Sequence, residues 1–303
     1  LRKNEARDTP LQPEMPVGKN PPAGAIIDYS LQSVPAGAVT LEIIDSTGAV
    51  VRKYSSSDAP GKIDDTQQFP TYWFNPPAPV SKHIGLNRFV WDLRYERPRA
   101  LRFGYSIAAA FGEDAIMQPE GPLVLPGTYQ VRLSVDGKTY TAPLEVKLDP
   151  RVKTAPVALR QQLMLETQIM QAIGDSHQIV QEIRDLRAQL SDLQVKLKNG
   201  ASAKPVLDAV AALDKKAAEL VAVEQTYPPV GIVSAASLNG ALGSLLVLVD
   251  SADTAPTAQA ASAFATYQKL LAQELGKWAA LKKTDIPTLN TLLRDRQLPP
   301  IKE

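Results

Sequence analysis

The sequence predicts an antiparallel β-sandwich followed by an antiparallel helical bundle. Three observations lead there. Between Leu123 and Arg151, apolar and polar residues alternate on both sides of Asp136-Gly137. Beyond Pro150 this period of two gives way to helical spacing for the rest of the chain. Of the 25 prolines, 17 fall at or before Pro150. With 303 residues, about two domains are expected at roughly 100–200 residues each.

Residues 1–24 are polar and carry Pro10, Pro13, Pro16, Pro21 and Pro22. They read as an extended arm, because prolines remove donors and few apolar residues are present to build a core. The arm lies along a partner surface or is a tether to something upstream. The sandwich is assigned to residues 25–150. Strand-like runs IIDYSL, AVTLEIID and AVVRKYS are separated by Val34-Pro35-Ala36-Gly37 and Ser46-Thr47-Gly48. From Ser55 to Ile84 the rhythm stops, and five prolines accompany the cluster Tyr72-Trp73-Phe74. So long a loop is expected to be functional or to pack against a neighbour. LNRFVWDLRY resumes the strand pattern with Phe89, Trp91 and Leu93 on one face, and a second irregular stretch covers Glu96–Pro122.

The hairpin comes next. Tyr129, Val131, Leu133 and Val135 share one face of its first arm, and Leu144, Val146 and Leu148 share one face of the second. Asp136-Gly137 supplies the left-handed angles of a tight turn. A lone hairpin is marginal in water, so further strands must cover its apolar side.

Residues 151–303 are assigned to the bundle. Thr154 is placed to cap a helix that has Pro156 in its first turn. Leu159, Leu163, Met170, Ile173, His177, Val180, Leu186, Leu190, Leu193 and Leu197 form its stripe, and Asn199-Gly200 ends it. Val206, Val210, Leu213, Ala217 and Leu220 mark a second helix, which Tyr227-Pro228-Pro229 breaks. A third, about 235–251, is apolar nearly all round and is expected to be buried. Thr254 and Pro256 open a fourth, with Phe264, Tyr267, Leu271, Leu275, Trp278 and Leu281 in step. Asp285 is placed to cap a last short helix that stops at Leu298-Pro299-Pro300.

Charge narrows the function. Formal net charge is +1, with 16 basic and 17 acidic residues up to Pro150 and 17 against 15 after it. Neither half has the basic excess of a nucleic-acid binder. There is no cysteine, which excludes disulfides, thiolate metal sites and cysteine nucleophiles. No run reaches the ~18 apolar residues of a spanning helix. The first residues lack the apolar core of a signal peptide, and the sequence opens on a leucine. It reads as a mature chain or a fragment, which leaves room for a removed export signal.

No catalytic, cofactor or metal residues are assigned. His177 sits on the helical stripe with no second ligand at helical spacing, so it reads as a seam histidine. His83 lies in a loop, without a visible orienting carboxylate or nucleophile. Asp64 and Asp65, with Asp58 nearby, lack the ligand spacing of a calcium loop. Gly137-Lys138-Thr139 lies in the hairpin and lacks the first glycine of a phosphate loop.

Two features are candidates for partner binding. Arg94, Arg97, Arg99 and Arg102 fall within nine residues, and their forks suit carboxylates or phosphates of a protein or lipid headgroup. The competing reading is a solvated loop or pairing with Asp92. Tyr72, Trp73 and Phe74 make rigid interface anchors, a plug for the open end of the sandwich, or a stacking platform for carbohydrate.

Three motifs carry a resemblance: Asn20-Pro21-Pro22-Ala23-Gly24-Ala25, Gly85-Leu86-Asn87-Arg88-Phe89-Val90-Trp91-Asp92-Leu93-Arg94 and Pro126-Gly127-Thr128-Tyr129-Gln130-Val131. Together with the terminal Leu289–Leu293 and Leu298–Ile301 segments, the chain resembles the C-terminal region of large exported bacterial β-propeller proteins. Those carry BNR/Asp-box (sortilin-type) repeats and are often labelled glycosyl-hydrolase-like. The resemblance implies an immunoglobulin-like sandwich, an extracytoplasmic location (periplasmic or secreted, or peripheral at a membrane surface) and a non-enzymatic accessory role. The propeller itself is absent, so no catalytic residue is carried over. The expected function is docking on other protein subunits, including those of a membrane complex. The alternatives are an accessory fragment of such a propeller protein and a carbohydrate-binding sandwich. Expressed alone, residues 151–303 should give a strongly helical circular-dichroism spectrum and a cooperative melt; an unfolded or non-helical piece would refute the two-domain reading.

Overall fold

The computed structural model describes residues 14–16, 18, 22, 24–61, 78–105, 117–197, 204–222 and 233–302. It has antiparallel sheets followed by helices. The chain divides into two compact units: residues 1–97, 103–164 and 252–255 in the first, and 98–102, 165–251 and 256–303 in the second.

The first unit holds eight strands among the described residues. β1 (Ala25–Leu31) pairs with β4 (Gly85–Trp91), and a four-stranded sheet runs β3 (Val50–Ser55), β2 (Thr40–Ile44), β7 (Gly127–Val135), β8 (Lys138–Val146). The hairpin is as read: Val135 faces Lys138 across Asp136 (φ 46°) and Gly137 (φ 76°). The Glu96–Pro122 stretch is less irregular than its sequence suggested, because β5 (Gly104–Tyr105) and β6 (Met117–Gln118) pair within it. Leu31 and Trp91 from one sheet meet Leu41, Ile43, Val51, Tyr129, Val131 and Val146 from the other in a single core. Trp91 is fully buried, edge-on to Tyr129 at 5.8 Å between ring centroids. On the opposite face of the larger sheet, Glu42 takes Arg132 (2.7 Å) from β7 and Lys53 (3.4 Å) from β3 as cross-strand partners.

One helix serves both cores of the second unit. α1 (Pro156–Leu197) is 42 residues long, about 63 Å at 1.5 Å per residue; it belongs to the second unit from Leu165 on, its start to the first. Its Leu165, Ile169, Ala172 and Ile173 pack with α3 (Ala235–Val249) and with Phe264 and Leu271 of α4 (Ala258–Ala280). Farther along, Val180, Ile183, Leu186, Leu190 and Leu193 pack with α2 (Lys204–Leu220), Trp278 and α5 (Ile286–Asp295). No helix among the described residues is long and apolar enough to cross a membrane.

Four details differ from the sequence reading. The α1 seam runs through Gln162, Glu166 and Ser176, all buried, while Leu163, Met170 and His177 are only half-buried at its margin. Three- and four-residue steps can be chosen through either set, and packing selects the first. The residue directly before α1 is Ala155 rather than Thr154, whose hydroxyl donates to the Asp253 carbonyl. The α4 cap is Thr257 rather than Thr254, accepting from the Ala260 amide at 3.1 Å. Asp285 caps nothing: α4 continues through a π-helical turn, Leu281–Asp285, into α5. The expected helix end at Asn199-Gly200 and the Tyr227-Pro228-Pro229 break lie outside the described residues.

Asn239, 1% exposed, ties the second unit together. Its Nδ2 donates to the Ile173 carbonyl (3.0 Å) and Ser176 Oγ (2.9 Å), and its Oδ1 accepts from the Leu101 amide (2.8 Å). The carbonyl oxygen thereby holds the excursion Pro98–Arg102 against α3. Asn239→Ala strands the Leu101 amide and should cost about 2 kcal/mol, the usual scale for an unmet buried donor. The check is chemical denaturation, where a midpoint equal to the parent's would refute the assignment.

Candidate functional site

Trp278 sits near the end of α4 and Lys282 one turn on, inside the π turn. A π turn inserts one residue, and such insertions are found most often at functional sites. Its trace is legible in the buried positions Trp278, Leu281, Ile286, Leu289 and Leu293: the step from 281 to 286 is five where three or four is normal.

Glu182 on α1 faces both residues. Its Oε2 accepts from Trp278 Nε1 (2.7 Å) and from Lys282 Nζ (3.0 Å), and its Oε1 accepts from Gln178 Nε2 (3.0 Å). The Lys282 ammonium also stands 5.4 Å from the centre of the Trp278 ring, within cation–π range. Burial alone would push the Glu182 carboxyl up. The hydrogen bonds from Trp278, Gln178 and Lys282, with the Lys282 charge, outweigh it and hold the group below the usual carboxylate range.

Two clefts adjoin at this node. One, about 350 Å³, is lined by Glu182, Asp185, Leu186, Gln189, Trp278, Lys282, Ile286 and Lys302. The other, about 280 Å³, runs back along α1 through Ile179, Gln178 and Asp175. Together they follow α1 from Asp175 to Gln189, about 21 Å at 1.5 Å per residue. The groove has an apolar floor and a rim of both charge signs, suited to a chain segment with alternating apolar and charged side chains.

The residues singled out from sequence lie elsewhere. Tyr72, Trp73, Phe74, Asp64 and Asp65 lie outside the described residues. The four arginines do not share one environment. Arg94 is 3% exposed; it donates to the Gly121 carbonyl (2.6 Å), lies 3.4 Å from Glu120, and its amide donates to Asp92 Oδ1 (3.1 Å). Internal pairing, weighed above for this run, therefore describes Arg94. Arg97 is half-buried in the first unit, while Arg99 and Arg102 are exposed on the segment belonging to the second. His83 is exposed, and His177 lies 3.5 Å from Gln181 Nε2. Asp58 Oδ2 accepts from the Ser55 amide at 2.6 Å. Among the described residues no group of three His, Asp or Glu is placed to hold a metal ion.

Sequence reading missed the Glu182–Trp278–Lys282 node because its members are about 100 positions apart. Only the five-residue step at Leu281 hinted at it. No protein-family model, curated protein or solved structure matches the chain.

Because the folded-state carboxyl titrates below the unfolded one, the stability it adds is present above about pH 4.3. That stability is lost as pH falls through the folded value. Glu182→Gln should therefore melt below the parent at pH 7 and converge with it toward pH 3. Parallel melting curves across that range would show that the carboxylate is not stabilised by its three donors.

Proposed function

We propose that the chain is a non-enzymatic, extracytoplasmic interaction protein, an immunoglobulin-like sandwich joined to a helical bundle that docks on other protein subunits. The observation that carries the reading is the groove on the helical unit. Small-molecule sites are enclosed and engulf their ligand, whereas an open trough about 21 Å long beside a helix fits an extended or helical segment of another chain. Mixed charge on its rim suits register and partner choice, and Trp278 beneath supplies the large apolar surface that dominates interface energies. The extracytoplasmic location and the immunoglobulin-like form rest on the resemblance to the exported propeller proteins. Arg99 and Arg102 remain exposed cations for an acidic surface on the same partner.

The test places a photo-crosslinking residue at Asp185 in the native producing cell. A single defined protein partner is expected. Recovery should fall about tenfold, equivalent to ~1.4 kcal/mol, when Gln189→Ala is added without loss of helicity. Uniform labelling of many proteins, or turnover in a broad glycoside and peptide screen, would overturn the reading.

A further inference from the structure

We propose that the helical unit is a receptor for extended peptide segments at the place where its own residues 301–302 lie. The partner segment it takes presents a branched aliphatic residue followed by a lysine. This rests on the interaction reading above and names the chemistry of the partner.

Two side-chain amides carry the inference. Asn290, on α5, accepts from the Ile301 amide (2.7 Å) and donates to the Ile301 carbonyl (3.0 Å). Gln189, on α1, does the same for the next residue, accepting from the Lys302 amide (2.8 Å) and donating to its carbonyl (3.2 Å). Backbone groups of successive residues in an extended chain point to opposite sides, so two helices grip the segment from both flanks. An amide that closes on the N–H and C=O of one residue replaces a neighbouring β-strand, the device by which sheet edges bind peptides. It recognises backbone and leaves the side chains to set specificity.

Specificity comes from the two pockets that alternate along the segment. Ile301 is 7% exposed, seated with Leu289, Leu293 and Leu190 in the core of the unit. Lys302 points the other way and lines the larger cleft beside the carboxylates of Glu182 and Asp185. A buried aliphatic anchor, and a cation in a cleft lined by Glu182, Asp185 and Lys282, are the features a competing segment would have to reproduce. Pro299 and Pro300, both exposed, favour the extended state before docking and lower the entropy lost on binding. This segment of the chain is then a resident competitor, present at an effective concentration of order mM. A partner segment binds by displacing it.

The experiment titrates a fluorescent Gln-Leu-Pro-Pro-Ile-Lys peptide into the full chain, following anisotropy. The parent and an Ile301→Asp variant, whose own segment can no longer seat, are compared. The variant should bind saturably and at least about tenfold more tightly than the parent. A peptide with aspartate in place of its isoleucine should not bind, and adding Asn290→Ala should cost about tenfold. Circular dichroism confirms the bundle in each case; if Ile301→Asp does not fold, Ile301→Ala takes its place. A folded, unplugged chain with no saturable binding would overturn the proposal, as would binding indifferent to Asn290→Ala. A parent chain that dimerises through exchange of this segment in sedimentation would make a second copy the occupant and would overturn it too. Peptide binding without a crosslinked cellular partner sustains this site and refutes the interaction reading. A crosslinked partner without peptide binding does the reverse.

Discussion

The second unit depends on a single long helix that buries one side against successive neighbours. α1 is too long to be covered by any one neighbour. Its seam is therefore shared between two successive cores, the first closed by α3 and α4, the second by α2, the end of α4 and α5. A helix within a folded protein gains most of its stability from such packing rather than from propensity. The buried polar residues Gln162, Glu166 and Ser176 mark the first part of the seam, and the second is purely aliphatic from Ile179 to Leu193. Asn239 meets that first part, where two hydrogen bonds, to the Ile173 carbonyl and Ser176 Oγ, fix α3 in one register against α1.

The first unit is fixed by a different constraint, close approach of backbones around Trp91 and Arg94. Trp91 Nε1 donates to the Arg94 carbonyl at 3.1 Å, and Arg94 reaches the Gly121 carbonyl. A Cβ at Gly121 would lie 2.1 Å from the Tyr95 carbonyl oxygen, so only glycine fits there. A buried guanidinium is costly to desolvate, and here carbonyl and carboxylate partners offset that cost. Arg94 thus belongs to the architecture of the first unit, while Arg99 and Arg102 stand exposed at the surface.

The groove and the site of residues 301–302 arise from one local irregularity. The extra residue of the π turn changes the rotation of α5 relative to α4 without breaking the helix. The Trp278 face stays on the second core, and Ile286, Leu289 and Leu293 are brought back onto it. Asn290, one residue after a buried leucine, then stands at the rim where Ile301 passes. Glu182 completes the arrangement from α1. Its carboxylate accepts three hydrogen bonds and orients both Trp278 and Lys282, so the rim charge is held in place before anything binds.

The sequence by itself determined the strands-then-helices order, the hairpin and the core face of α2, while packing chose the face of α1. Period and turn chemistry are local: Asp136-Gly137 can form few other structures between alternating arms, and Val206 to Leu220 leave one face to bury. Local signals also erred where two answers are equally local. Thr254 and Thr257 are both acceptable caps, and Asp285 before Pro287 looks like a helix start until the 281-to-286 step is noticed. Tertiary structure alone decided the rest. It placed Pro98–Arg102 with the helices, buried Arg94, and joined Glu182 to Trp278 and Gln189 to Lys302 across about 100 residues. The physical reason is that a hydrogen bond or an ion pair leaves no period in the sequence. It depends on which side chains packing brings within about 3 Å.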